Sequence, residues 1–196
     1  MTVDGAPAAG LRERRRASVR REIAICAADL FARQGIAGTT AEQIAAAAGI
    51  SLRTFYRHCP SKEEALTVLV EENTDEFLAE FRRRPADEPL SVAASETLIH
   101  TWANAPGDTR RIVRLMLGDP VLRARWVAGV RRAQELLVPV VAERLGDDPD
   151  ALRPTVVAGL LLNLTSTVLE YWVTRDQVTD LADMVNQARE ILRTLD

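Results

Sequence analysis

Apolar residues recur every three or four positions along most of the chain, which is the spacing of helices that bury one face. This pattern predicts a first helix from about residue 16 to residue 34, with Gly35 as its C-terminal stop. Thr39 stands three residues before Glu42, a capping-box spacing that predicts a second helix, which runs through Ala47.

Two more helices are predicted before the next break in the chain. Gly49 supplies a turn that tolerates a positive φ, and Ser51 caps a third helix of about two turns that ends before Pro60. Capping-box spacing recurs at Ser61, which predicts a long fourth helix from there to about Arg84. The third helix needs its neighbours for stability, because isolated short helices are marginal in water.

The rest of the chain continues the helical pattern, and no stretch shows the two-residue alternation of a half-buried strand. The sequence therefore predicts an all-α fold of about nine helices. A three-helix N-terminal domain is joined by the long fourth helix to a larger helical C-terminal domain. The five later helices are predicted at about residues 90–105, 109–118, 120–145, 151–174 and 178–195.

Charge is distributed unevenly along the chain. Residues 1–60 hold nine arginines against five acidic residues, whereas the remainder holds 16 basic and 23 acidic residues, for a net charge of −3. A basic end on an acidic body indicates that one end of the molecule meets a polyanion. Residues 1–15 are expected to form a basic, flexible arm, and the segment "LRERRRASVRR" at residues 11–21 is expected to lie along a polyanion such as DNA. "RERRR" alone is equally typical of a solvated charged surface.

Other classes of site receive little support from the sequence. The two cysteines, Cys26 and Cys59, form no CxxC motif, so neither a zinc site nor any cofactor is expected. No secretory leader is recognisable at the N-terminus. The uncharged stretch 155–169 is too short and too polar to span a membrane, so a soluble, cytoplasmic protein with no membrane partner is expected.

Three short helices with a glycine turn between the second and the third describe a helix-turn-helix DNA-binding domain. This arrangement divides the domain into an inner and an outer set of side chains. The inner set is Ile23, Ala27, Phe31, Ile44, Phe55 and Cys59, and the outer set on the third helix is Leu52, Arg53, Tyr56 and Arg57.

The segments "LFARQG", "TT", "IAAAAGIS", "TFYRH" and "SKEEAL" agree in order and spacing with a known family. Over residues 20–66 the chain resembles the DNA-binding region of the tetracycline-repressor (TetR) family of bacterial regulators. The resemblance implies domains at residues 16–62 for DNA binding and 63–196 for ligand binding and dimerisation. It implies phosphate contacts for Thr40, Tyr56, His58 and Lys62, and base-edge readout by Ser51, Leu52, Arg53 and Thr54.

Four residues of this region have an alternative interpretation or an open role. Tyr56 could be half-buried packing, and His58 could contact the backbone at the end of its helix. Many family members have glycine where Arg53 stands, so the target of Arg53 is open. Cys59 stands where the family usually has phenylalanine, and its thiol is either a buried structural group or a redox sensor.

The penultimate helix is apolar almost all round, so more than one of its faces must be covered. One face can pack internally and another against a second copy, giving a four-helix interface with two-fold symmetry. The resemblance implies the same homodimer, and the alternative is a monomer whose last helices close the core. The expected interface residues are Leu160, Leu164, Val168, Leu181, Met184, Ala188 and Leu192.

A ligand cavity requires large apolar groups with a few polar ones, and an ordinary core uses the same residues. The stretch from Arg111 to Leu137 also resembles the effector domain of a TetR subgroup associated with acyl-coenzyme A or related ligands. It implies an unidentified small-molecule effector of hydrophobic or acyl type. The candidate ligand residues are Leu98, His100, Trp102, Met116, Trp126, Asn163, Thr167 and Tyr171.

The leading interpretation is a repressor that binds a pseudo-palindromic operator in double-stranded DNA and releases it when an effector binds. Two alternatives come from other classes. One is an architectural or constitutive DNA-binding protein without an effector, and the other is an enzyme. No recognisable arrangement of nucleophile, histidine and carboxylate supports the enzyme.

Overall fold

A computed structural model describes residues 6–103, 109–175 and 180–193. Over these residues the chain forms nine α-helices and one short 3₁₀ turn, with no strand. The predicted all-α class is confirmed. The helices are α1 (Ala6–Gln34), α2 (Ala41–Ala47), α3 (Leu52–His58), α4 (Thr67–Arg83), α5 (Leu90–Ala103), α6 (Thr109–Gly118), α7 (Pro120–Leu145), α8 (Leu152–Thr174) and α9 (Leu181–Arg193).

The chain divides between Val70 and Glu71 into two compact units. Unit 1 contains α1, α2, α3 and the 3₁₀ turn at Lys62–Glu64. Its first three helices pack against one another pairwise. Its interior contains every residue of the predicted inner set, each no more than 3% exposed: Ile23, Ala27, Phe31, Ile44, Phe55 and Cys59.

Two predicted helix starts are wrong. Helix α1 begins at Ala6, ten residues before the predicted position, because the alanines, arginines and leucine of that segment all have high helix propensity. The described part of the expected arm is therefore helical backbone. Helix α4 begins at Thr67, because the chain after Ser61 forms the 3₁₀ turn and the Ser61 hydroxyl makes no capping hydrogen bond.

The cap of α2 lies one residue later than predicted. Thr40 is the N-cap, and it forms a reciprocal capping box with Gln43. Thr39 is fully buried instead, and its hydroxyl donates to the carbonyl of Gly35 at 2.8 Å. Gly35 itself adopts φ +74°, a left-handed conformation that favours glycine.

Unit 2 is built around two apolar clusters. The first joins α4, α5, α7 and α8 through residues such as Phe81, Ala94, Leu137 and Ala158. The second joins α5, α8 and α9 and consists of Leu98, Val168, Leu181 and Val185, with partly buried residues around it.

Two arginines of α6 secure the C-terminal end of α8. Arg110 donates to the carbonyls of Trp172 and Arg175 at 2.9 and 3.0 Å. Arg114 donates to the carbonyl of Val173 at 2.8 Å. Because the last carbonyls of a helix have no intrahelical donors, these bonds cap α8 and fix α6 against it.

Among the described residues, α8 alone is long and apolar enough to cross a membrane by length and composition. Its most apolar window is 39% buried inside the protein. A core helix of a soluble protein passes the same test, so this helix is weak evidence for a membrane span.

The caps at Thr40 and Ser61 give a matched pair of substitutions. We expect T40A to lower the free energy of unfolding by about 1 kcal/mol, because it removes the acceptor for the Gln43 amide. S61A should change it by less than about 0.5 kcal/mol, because the buried Ser61 hydroxyl has no hydrogen-bond partner among the described residues. Urea titration measures both values, and equal losses in the two variants would contradict the assignment.

Candidate nucleic-acid interface

Helix α3 is short, and hydroxyl groups hold its first turn. The Ser51 hydroxyl accepts a hydrogen bond from the Thr54 amide at 3.1 Å, and the two hydroxyl oxygens lie 2.9 Å apart. Ser51 therefore caps α3 as predicted. Because both hydroxyls are engaged at the helix start, Ser51 and Thr54 support the helix that carries the other predicted contact residues.

The outer face of α3 presents three large polar side chains. Arg53, Tyr56 and Arg57 are exposed, and Leu52 is half-buried. Phe55 is fully buried beneath them, and the Tyr56 ring meets it edge-on with the ring centroids 5.4 Å apart. Tyr56 thus packs on one side and still exposes 51% of its surface, and its phosphate contact stays a prediction.

The start of α2 lies in the same unit and carries a negative charge. The Thr40 hydroxyl accepts from the Gln43 amide at 3.3 Å, and the Thr40 amide donates to the Gln43 side chain at 2.9 Å. Glu42 is exposed, and hydrogen bonds from its own backbone amide and from the Thr40 side chain lower its pKa. This helix start therefore holds an ionised carboxylate beside Thr40.

Lys62 was predicted to contact phosphate, but its side chain is bonded within the protein. Its ammonium group donates to the carbonyl oxygens of Ile36 and Thr39, each at 2.7 Å. A carboxylate oxygen of Glu63 lies 3.9 Å from the same group. Lys62 therefore binds the turn between α1 and α2, and nothing in its position in the sequence indicated those partners.

His58 lies at the end of α3, close to basic residues of α1. Its Nδ1 atom is buried and has no hydrogen-bond partner among the described residues. Burial lowers the pKa of His58, and the positive charges of Arg57, Arg16 and Arg20 lower it further. The structure thus brings Arg16 and Arg20 near the predicted contact surface. Both arginines belong to the segment at residues 11–21 that was expected to lie along DNA from its basic charge, although neither was named as an individual contact residue.

Cys59 is 3% exposed and ends α3 by donating its backbone N–H to the Phe55 carbonyl at 2.8 Å. Burial raises the pKa of its thiol, while the charge of Arg20 lowers it and the charge of Glu64 raises it by smaller amounts. A buried, protonated thiol reacts slowly with oxidants, so the geometry favours the structural interpretation over redox sensing.

The predicted effector residues are divided between the interior and the surface of unit 2. Leu98 and Trp102 pack in the cluster that joins α5 to α8 and α9. Met116 is 1% exposed, and the Trp126 ring N–H donates to Glu170 at 2.8 Å. The other four have exposed side chains: His100, Asn163, Thr167 and Tyr171.

The predicted dimer residues also differ in their exposure, and their role in an interface stays a prediction. Leu160 lies on an exposed face, with 67% of its surface accessible. Val168 and Leu181 are buried within unit 2, and Leu164, Met184 and Ala188 pack against the same cluster. The side chain of Leu192 lies outside the described residues. Because α8 is apolar nearly all round, its sequence did not show which face turns inward.

Two family models match the chain. The model described as bacterial regulatory proteins of the tetR family matches residues 26–67. The model described as the MftR C-terminal domain matches residues 88–195. The chain belongs to the TetR family of bacterial transcriptional regulators. The resemblance seen in the sequence is therefore confirmed.

Known proteins match nearly the whole length of this TetR-family chain. The transcriptional regulator TcmR of Streptomyces glaucescens is 31% identical over 185 residues, which cover 88% of this chain and 80% of TcmR. MftR of Mycobacterium tuberculosis is 27% identical over 191 residues, 91% of each protein. The solved complex of SmeT with triclosan is 25% identical, covers 91% of each chain and has a TM-score of 0.63. The family and these neighbours are transcriptional regulators rather than enzymes, and such regulators bind DNA operators as dimers and respond to small molecules.

The lowered pKa of His58 predicts a pH dependence of stability. Between the native pKa and the unfolded value near 6.5, the unfolded chain binds more protons, so stability falls as the pH drops through this window. Thermal unfolding should show a smaller loss of Tm for H58Q than for the unchanged protein between about pH 7.5 and about pH 5.5. Parallel losses in both proteins would contradict the assignment.

Proposed function

We propose that this TetR-family regulator is a homodimeric repressor that binds a pseudo-palindromic operator through α3 and releases it when a small molecule binds unit 2. The DNA-binding part of this proposal rests on the two different faces of α3. Phe55 is fully buried on one side, while Arg53, Tyr56 and Arg57 are exposed on the other. A helix of this kind enters the major groove in helix-turn-helix proteins.

The exposed residues of α3 suit two kinds of DNA contact. Arg53 follows the N-cap by two positions, so it lies at the end of the helix from which such proteins read base edges. Its guanidinium can pair with O6 and N7 of a guanine. Tyr56 and Arg57 lie one turn further along, where a hydroxyl and a guanidinium can bind flanking phosphates. Thr40, at the start of α2, is proposed as a weaker phosphate contact because of its neighbour Glu42.

The exposed face of α8 is the proposed dimer interface. Its side chains recur at helical spacing, and Leu152 and Leu160 are 78% and 67% exposed. Two copies of this face related by a two-fold axis would cover the apolar residues and present two α3 helices to successive half-sites, which lie about 34–36 Å apart. The stripe consists of Leu152, Val156, Leu160, Asn163, Thr167 and Tyr171.

The proposed effector is an apolar or acyl-type small molecule. Support comes from the apolar interior of unit 2, where Trp102 and Trp172 meet edge-on at 6.0 Å and Arg110 stacks on Trp172 at 4.2 Å. The match to the MftR C-terminal domain covers this region. The SmeT structure was solved with triclosan. We place this regulator in the cytoplasm, where its operator would be.

Selection of duplexes from a random pool tests the proposed function. We expect the full chain to enrich a pseudo-palindrome whose half-sites lie about one helical turn apart. R53A should relax selection at one base pair of each half-site, at a cost of about 1–3 kcal/mol for the preferred base. R131A is the control, because Arg131 is an exposed arginine of α7 in unit 2. Binding without enrichment would favour the architectural alternative, and no binding would refute both.

The dimer interface has a separate test. L160E places a carboxylate on the exposed apolar face of α8, and two such charges would meet near the two-fold axis. We expect the dimer to dissociate about 100-fold more readily, about 2.8 kcal/mol, as measured by sedimentation equilibrium. V127E is the matched control, because Val127 is 57% exposed on α7. A dimer that survives L160E but not V127E would place the interface elsewhere.

A further inference from the structure

The turn between α1 and α2 is packed so tightly that it leaves no room for a side chain at Gly38. A Cβ added to Gly38 would lie 2.5 Å from the Gln34 carbonyl oxygen, closer than real Cβ atoms approach backbone. Gln34 also donates to the Gly38 carbonyl at 3.1 Å and to the Gln43 side chain at 2.9 Å. The end of α1 is thereby bonded both to the turn and to the first turn of α2.

Thr39 closes this turn from the inside. It is fully buried, its amide donates to the Ile36 carbonyl at 3.2 Å, and its hydroxyl donates to the Gly35 carbonyl at 2.8 Å. The carbonyls of Ile36 and Thr39 have no place in a regular helical ladder. Both carbonyls lie in part-buried surroundings, so a donor from elsewhere in the fold stabilises them.

Lys62 supplies that donor from the segment after α3. Its ammonium group reaches Ile36 and Thr39 from 26 and 23 residues away, with both distances at 2.7 Å. An ammonium group has three N–H donors, so these two bonds use two of them. Such bonds are charge-assisted and short. A phosphate that took Lys62 would remove this donor from the Thr39 carbonyl and would leave the Ile36 carbonyl with the Thr39 amide as its remaining donor.

We infer that Lys62 is a positioning residue that ties the turn before α2 to the segment after α3, and that it makes no phosphate contact. This inference rests on the proposed DNA binding. The bonds fix Thr39 next to Thr40, the N-cap of α2, and they anchor the chain four residues after His58, where α3 ends. Lys62 thereby sets α2 and α3 in the relative position that DNA binding requires.

Salt dependence separates positioning from phosphate contact. Removing one phosphate contact to B-DNA reduces the slope of log K against log salt by about 0.9, because one fewer counterion is released. A positioning residue changes the affinity and leaves the slope as it was. R57A is the comparator within the same surface, because Arg57 is exposed and proposed to bind phosphate.

The experiment measures full-length K62M, K62Q and R57A against the selected operator duplex over a range of salt concentrations. We expect K62M to weaken binding about tenfold with an unchanged slope, whereas R57A should lower the slope by about one. Amide hydrogens of residues 39–44 should exchange at least about tenfold faster in K62M than in R57A. K62Q removes the charge but keeps two N–H donors. If K62M does not fold, the slope of log K against log salt is measured with K62Q instead.

Two results would overturn the inference. One is a slope reduced by about one in K62M or K62Q, which is the signature of a residue that binds phosphate. The other is unchanged amide exchange in residues 39–44, which would show that Lys62 does not hold the turn. Failure of the unchanged protein to bind any duplex would refute the proposed function instead, and amide exchange would still test the tie between Lys62 and the turn.

Discussion

Burial of Phe55 is the interaction on which the candidate DNA-binding surface depends. Helix α3 has seven residues, too few to be stable in water without packing. Phe55 is fully buried, and removal of such a side chain from water contributes about 1.5–3 kcal/mol. Because Phe55 points inward, the helical repeat directs Arg53, Tyr56 and Arg57 outward. One buried ring thus determines both the position of α3 and the direction of its exposed side chains.

Helix positions and the inner set of unit 1 could be predicted because they depend on local signals. Asp119 followed by proline marked the start of α7, where its carboxylate accepts from the Val121 and Leu122 amides as a cap should. The same signals misplaced the N-cap of α2 by one residue, at Thr39 rather than Thr40, because two threonines are adjacent there. Burial selected the other one, because Thr39 bonds to Gly35 inside the turn.

Faces of α8 and long-range polar contacts could not be predicted. Periodicity identifies an inward face only where polar residues mark the outward one, and α8 is apolar on both sides. Its inward face is set by contact with α5, α6, α7 and α9, so Val168 is buried while Asn163 and Tyr171 are exposed. Lys62 presents the same difficulty, because its partners lie more than 20 residues away and are backbone carbonyls that any sequence would offer.

The outward positive charge of unit 1 comes from arginines rather than from helix ends. The ionised carboxylate of Glu42 offsets the partial positive charge at the start of α2. The ammonium of Lys62 is directed at two carbonyls. Arg53 and Arg57 stay exposed, and arginines of α1 lie near enough to lower the pKa of His58. Guanidinium groups keep their charge throughout the physiological pH range, so attraction to phosphate persists there.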